Sequence, residues 1–195
     1  MITEFIDFCK ELFPSISPYT AERAKTALLQ FEKDGKIINY ITNKLNKNEL
    51  FQGDIFSDIP FYYMQSDGSY GIVKHKAQLL TNTCDAVRND NLNFAAVLPL
   101  KQFSDKFQNS IIKNKTYQFL YLPDNKTKDF VIDFGLIHTI SREAFIKAIN
   151  HNKIKKIVSL SDIGYYMFIC KLTVYFMRPE DIEVNNLRGE DYNYE

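Results

Sequence analysis

Gly53-Asp54-Ile55-Phe56-Ser57-Asp58-Ile59-Pro60-Phe61-Tyr62-Tyr63-Met64, closed by Ser66-Asp67-Gly68, is the stretch whose reading decides the fold. β-Branched and aromatic residues fill the run, and the Ser-Asp-Gly triplet supplies turn chemistry at its end. The same texture recurs downstream. Residues 76–84 (KAQLLTNTC) read as a strand, 86–93 (AVRNDNLN) as a polar loop, and 94–100 (FAAVLPL) as a strand ended by Pro99. Residues 116–124 (TYQFLYLPD) alternate and stop at Pro123, and residues 129–140 (DFVIDFGLIHTI) read as one or two strands bent at Gly135. Short strands at this spacing predict a small, strongly curved antiparallel β-barrel, closed or partly closed.

Working outward, both flanks read as helical. Residues 1–13 place Phe5, Phe8, Cys9 and Leu12 on one helix face, and Pro14 ends that pattern. Ser17-Pro18 then starts a second pattern carrying Ala24, Leu28, Phe31, Ile38, Ile41 and Leu45. After the strands, Ser141 caps a helix over REAFIKAIN. Ser161 or Asp162 caps a last helix, with an apolar stripe of Ile163, Tyr166, Met167, Cys170, Val174 and Met177, and Pro179 stops it. The chain therefore divides into a helical N-terminal extension (1–48), a barrel with C-terminal packing helices (49–178) and an acidic tail (179–195). The class is α+β.

Composition narrows the partners. The chain has 195 residues, enough for one domain with its own core, and its 24 basic and 24 acidic residues give no net charge. Charge is nevertheless uneven. Lys101, Lys106, Lys113, Lys115, Lys126 and Lys128 outnumber Asp105 and Asp124 in the middle, whereas the end of the chain is acidic. Cys9, Cys84 and Cys170 are far apart and odd in number, which argues against a disulfide framework and fits a reducing, cytoplasmic setting. No apolar run approaches a bilayer-spanning length, so no membrane partner is expected. No phosphate-binding glycine motif or paired metal-ligand spacing is present, so no cofactor and no metal are expected.

Two stretches concentrate polar chemistry. Thr81-Asn82-Thr83-Cys84-Asp85 leaves a strand end. As an active-site loop it would offer Asp85 as base or orienter, Thr83 beside it, and Cys84 as a nucleophile; as scaffold, its hydroxyls and carboxylate would satisfy loose backbone groups. Lys74-His75-Lys76 precedes the second strand and reads either as a site or as a solvated basic edge. Tyr117, Phe119 and Tyr121, interleaved with lysines, could form a single-strand stacking platform or a core face. His138 on a strand and Asp54 at the first turn carry similar paired readings, site or structure.

The order of these segments resembles the MazF/PemK toxin family over roughly residues 50–176. The resemblance rests on Gly53-Asp54-Ile55, on His75-Lys76-Ala77-Gln78-Leu79-Leu80-Thr81, on Ala95-Ala96-Val97-Leu98-Pro99 and on Asp133–Ile140 leading into a helix. It implies an SH3-like, PemK-type barrel and metal-independent cleavage of single-stranded RNA, in a toxin–antitoxin or phage-defence setting. The family's second-strand Arg falls on His75, and its Thr after the third strand's proline falls on Lys101. The expected catalytic residues are then His75, Asp85 and Thr83, with Lys74, Lys76, Lys101, Asn82 and Arg88 contacting RNA. Expected partners are single-stranded RNA, an antitoxin or other protein, and a second copy in a homodimer. Two other readings stand beside this one: a non-catalytic interaction module of the same fold, and a hydrolase using Cys84.

Overall fold

The strands alternate between two apolar cores, and that alternation organises the molecule. The computed structural model describes residues 39–42, 44–46, 49–177 and 184. The strands are β1 (Ile55–Met64), β2 (Tyr70–Leu79), β3 (Asn91–Pro99), β4 (Phe119–Leu120), β5 (Phe130–Ser141) and β6 (Lys156–Val158). The helices are α1 (Asp85–Arg88), α2 (Asp105–Ile112), α3 (Arg142–Asn150) and α4 (Asp162–Phe176), with a 3-10 turn at Leu100–Gln102. These strands pair antiparallel throughout, in the order β4-β5-β3-β2-β1-β6.

Successive side chains on a strand point to opposite faces. Phe56, Ile59, Phe61, Leu79, Phe94 and Val131 face an inner core that also receives Phe145 of α3. Ile55, Ala95, Val97, Ile132 and Phe134 face an outer core closed by Met167 and Phe168 of α4. Strands buried on both faces read as continuous apolar runs, as FAAVLP does. Phe56, Phe94 and Phe145 meet with ring centroids 5.1–6.1 Å apart and weld α3 to the sheet.

The α+β expectation holds, and the sheet is strongly curled. β1 and β5 are separated by β2 and β3, which in a flat sheet would put them about 14 Å apart. Yet His138 of β5 lies 5.4 Å from the Phe61 ring and 5.2 Å from the Tyr62 ring of β1, centroid to centroid. Among the described residues the hydrogen-bonded ladder does not close: β4 and β6 are edges, and no strand pairing joins β1 to β5. The curl is helped by two irregularities. A bulge between Phe56 and Ile59 puts Asp58 in the left-handed region at φ 59°. In β5, Phe134-Gly135-Leu136 loops out between the partners of Ala95 and Ala96, so the bend expected at Gly135 is present within one strand.

Several sequence expectations shift. β2 starts at Tyr70, so His75 lies within an interior strand and the basic-edge reading of Lys74–Lys76 is lost. The polar loop contains α1, and the Lys-rich segment after β3, for which no element was expected, contains α2. Only Phe119–Leu120 of the alternating TYQFLYLPD stretch pairs as a strand. Ser141 and Ser161 cap α3 and α4, accepting from the backbone N–H groups of Ala144 and Gly164. The buried face of α4 is Gly164, Met167 and Phe168, while Val174 and Met177 of the expected stripe are exposed. Residues 39–42, assigned above to a helix, are extended: Ile41 bridges Leu160, and the Thr42 N–H donates to the Ser159 carbonyl. The two expected N-terminal helices up to residue 38, Cys9, and the acidic tail, Val184 aside, lie outside the described residues.

Candidate nucleic-acid interface

Strand alternation distributes the basic residues of β2 over two faces. The cross-strand pairs Pro60–Lys74, Tyr62–Ile72 and Met64–Tyr70 share the outer face of the β1–β2 ribbon. Lys76 lies on the same face, one step toward the outer core: its Nζ sits 3.6 Å from the centroid of the Phe130 ring. Lys76, Phe130 and Val97 line a shallow depression together with Lys126. Lysines over aromatic and aliphatic surface keep their charge while desolvating their stems.

His75 faces the other way. Its ring packs edge-on against Phe61 at 5.3 Å, and His138 packs against that same phenylalanine at 5.4 Å, centroid to centroid. Burial lowers the pKa of both histidines below the ordinary imidazole value, which keeps them neutral at pH 7. His138 Nε2 is buried without a hydrogen-bond partner. Lys74 and Lys76 therefore do not share a surface with His75, although the three are consecutive.

The Thr81–Asp85 turn sits beyond the far end of β2. Leu79 alone is about 14 Å along the strand from His75. The Thr81 hydroxyl accepts from the Asn93 N–H at 2.8 Å, and the Thr83 hydroxyl accepts from the Gln52 N–H at 3.0 Å. Asn82 Oδ1 accepts from the Cys84 N–H at 3.0 Å, closing a side-chain turn. Both threonine hydroxyls thus satisfy backbone donors, as the scaffold reading expects. Asn82, Cys84, Asp85 and Arg88 remain exposed. Lys101 is exposed on the 3-10 turn after β3, at the Lys74 end of the sheet, because β3 runs antiparallel to β2 with Val97 opposite Lys76. The structure accordingly gathers Lys74, Lys76 and Lys101 near one end and Asn82, Thr83, Asp85 and Arg88 at the other.

Other candidates resolve as structure. Asp54 is fully buried and ion-pairs with Lys156 Nζ at 2.6 Å; the Ser159 hydroxyl donates to it at 2.6 Å and the Phe51 N–H at 2.9 Å. Lys156 also donates to the Glu49 carbonyl. Phe119 and Tyr121 are buried, which favours the core-face reading of that stretch over the stacking platform; of the three aromatics Tyr117 alone is exposed. Burial pushes the Cys170 thiol up to about 11, which leaves it inert near neutrality. Burial brings the Lys171 ammonium down to about 8, and that group ties α4 to the loop before β4 by donating to the Asn114 and Thr116 carbonyls. Among the described residues there is no group of three or more His, Cys, Asp or Glu placed to hold a metal, and no helix long and apolar enough to cross a membrane.

The surface that residue-type reasoning missed is the distal half of the ribbon itself. Tyr62, Met64, Tyr70 and Ile72 are 55–78% exposed on one face. The signal was present in the run of aromatics around the Ser-Asp-Gly turn, and the hairpin register that sets Met64 opposite Tyr70 and Pro60 opposite Lys74 puts them on the face of Lys74.

No family model matches this chain, and no curated protein matches it by sequence. Among solved structures, a MazE–MazF complex from Deinococcus radiodurans (Form-II) is similar over 66% of this chain and 96% of that chain, at 8% identity and a TM-score of 0.39. Similarity at that level carries no inference about this protein.

Proposed function

We propose that this protein binds single-stranded RNA through the basic strip Lys74–Lys76–Lys126, as a PemK-type curled sheet working in a bacterial toxin–antitoxin or phage-defence setting. The supporting observation is the placement of Lys74 and Lys76 on one face of an interior strand, with Lys76 seated over Phe130 and Lys126 at the same depression. Such a strip neutralises a polyanion's phosphates, and Lys101 extends it from the neighbouring turn. The sequence resemblance supplies the RNA and the setting, with an antitoxin-like protein and a second copy of the chain as further partners.

Cleavage is the stronger form of this reading. The 2′-oxygen would attack phosphorus, a base would take its proton, and an acid would protonate the departing 5′-oxygen. His75 is the base the resemblance points to, and its lowered pKa keeps it unprotonated at pH 7. Two observations favour the non-cleaving interaction module instead: His75 faces away from the lysines, and Asp85 and Thr83 stand at the far end of β2.

Incubating mixed RNA with the protein in chelator, with end-group analysis, separates the two forms. If cleavage occurs, 2′,3′-cyclic phosphate ends accumulate and His75→Ala slows their formation by roughly 100-fold or more. Cys84→Ser leaves the rate unchanged, because this chemistry uses no protein nucleophile; an abolished rate would instead favour the cysteine hydrolase. Binding without product defines the module. Lys74→Ala and Lys76→Ala then each weaken binding and flatten the salt dependence by about 0.7 for each phosphate that is no longer neutralised. Wild-type protein that binds no RNA at any salt concentration refutes the proposal.

A further inference from the structure

The outer face of the ribbon carries more than charge. Tyr62 is 55% exposed, Ile72 61%, Met64 68% and Tyr70 78%, and the register pairs them as Tyr62–Ile72 and Met64–Tyr70 on a single face. Contiguous exposed apolar side chains of this size mark a binding surface. The face runs directly into Lys74 and Lys76, so aromatic rings give way to ammonium groups along one strand at intervals of about 7 Å. Its carboxylates stand at the two ends: Asp58 in the bulge, and Asp67 in the turn, where the Ser69 N–H and hydroxyl both donate to it.

Tyr62 is held in place. Its ring packs against His138 at 5.2 Å, which leaves the rest of the ring open to solvent. On the opposite face Tyr63 lies across Gly71, where any Cβ would come within 2.3 Å of the Tyr63 ring, so the ribbon is stiffened from behind. A braced aromatic loses little freedom when a flat ligand stacks on it.

We infer that Tyr62 and Tyr70 form a stacking platform for unpaired nucleobases, next to lysines that hold the phosphates of the same strand. The occupant is a single-stranded polynucleotide, because flat exposed rings followed by cations, with no carboxylate between them on that face, complement bases joined by phosphates. A polyanion without bases would use the lysines alone, and a purely apolar partner would leave them unmatched. This inference rests on the RNA-binding reading above and assigns its base-contacting half.

The test compares labelled single-stranded RNA with inorganic polyphosphate on the full chain. Tyr62→Ala with Tyr70→Ala lowers RNA affinity roughly 5- to 100-fold, the effect of losing a stacked base, and leaves polyphosphate affinity and the salt slope unchanged. Tyr62→Phe with Tyr70→Phe retains RNA affinity, since the ring faces remain. Circular dichroism and the melting temperature confirm that the variants are folded. If the wild type binds RNA, Lys74→Ala and Lys76→Ala weaken it, and the double alanine variant binds as well as wild type, the platform is wrong and the phosphate strip stands. If the wild type binds no RNA, the functional reading falls first and the platform with it. If the wild type self-associates and the double alanine variant is monomeric with unchanged RNA affinity, the face is a contact between copies and the platform is refuted.

Discussion

The two halves of β1 are built on opposite terms. Ile55, Phe56 and Ile59 are almost wholly buried, whereas Tyr62 and Met64, a few residues on, are more than half exposed. The first half enters the sheet beside Asp54, whose carboxylate is saturated by Lys156, Ser159 and the Phe51 N–H. It is paired on both sides, by β2 and β6. The second half pairs with β2, and its other side meets β5 through ring contacts. One strand thus anchors the fold at one end and presents large side chains to solvent at the other. Burial and exposure are separated along about 30 Å of chain.

The largest test of that separation is Asp54→Ala. It strands a buried ammonium, because Lys156 is as sequestered as its partner, at 3% side-chain exposure. Breaking such a pair from one side costs about 3–5 kcal/mol. A urea titration should show the unfolding free energy falling by that amount or the protein failing to fold. A loss near zero would mean that the corner is not the anchor. Next comes Gly164→Ala on α4. A Cβ there would lie 2.0 Å from the Tyr40 carbonyl oxygen, which is backbone and cannot swing aside. Forcing α4 away from residues 39–42 should cost about 1–3 kcal/mol on the same titration. Gly53 in the first turn is under similar constraint: its φ is 94°, and a Cβ would meet Leu160 Cδ1 at 2.5 Å.

The boundary between the two halves is where pH acts. His75 and His138 both pack against Phe61, and burial depresses both of their pKa values. The folded state therefore holds them neutral, while the unfolded chain takes up protons from about pH 6.5 downward. The unfolded state binds more protons in that interval, so stability is complete above it and is lost as the pH falls toward the folded-state values. Between pH 7 and 5, unfolding midpoints should drop for the wild type and drop less for His75→Gln with His138→Gln. A parallel drop in both would place the sensitivity elsewhere.

The sequence disclosed this organisation unevenly, and the reasons are physical. Caps are local, so Ser141 and Ser161 were legible from their neighbours, as was the bend at Gly135. β6 was hidden because its first residue, Lys156, closes the basic run of residues 151–156 (HNKIKK), which carries no strand signal; the burial of that lysine depends on Asp54, which is remote in sequence. The start of β2 was hidden because Tyr70-Gly71-Ile72 is exposed and glycine-bearing, although Tyr63 covers the glycine. For the candidate interface, residue type identified Lys74 and Lys76 and strand alternation gives them one face, but which partners lie beside them is set by the pairing of β2 with β1 and β3, which no local pattern states. The same limit left the aromatic stretch open between platform and core: Tyr117, Phe119 and Tyr121 alternate in sequence, and the fold turns two of them into the inner core.

The smallest expected effect is also the most discriminating. If the distal ribbon exists for a ligand rather than for the fold, removing its outer rings should leave stability almost untouched. Tyr70, at 78% exposure, pairs across the ribbon with Met64, itself 68% exposed. Tyr70→Ser therefore removes little buried area and should move the unfolding free energy by no more than about 0.5 kcal/mol. Tyr62→Ser should cost slightly more, since it also removes the ring packing against His138. Phe61→Ala, one residue away, provides the contrast: that ring is 2% exposed and its deletion should cost about 3–5 kcal/mol. Adjacent residues on one strand would then differ severalfold in their effect on stability, in step with the face each occupies. Should Tyr62→Ser and Tyr70→Ser prove as damaging as Phe61→Ala, the outer face is covered in solution and the division of β1 into an anchor and a presenting half fails.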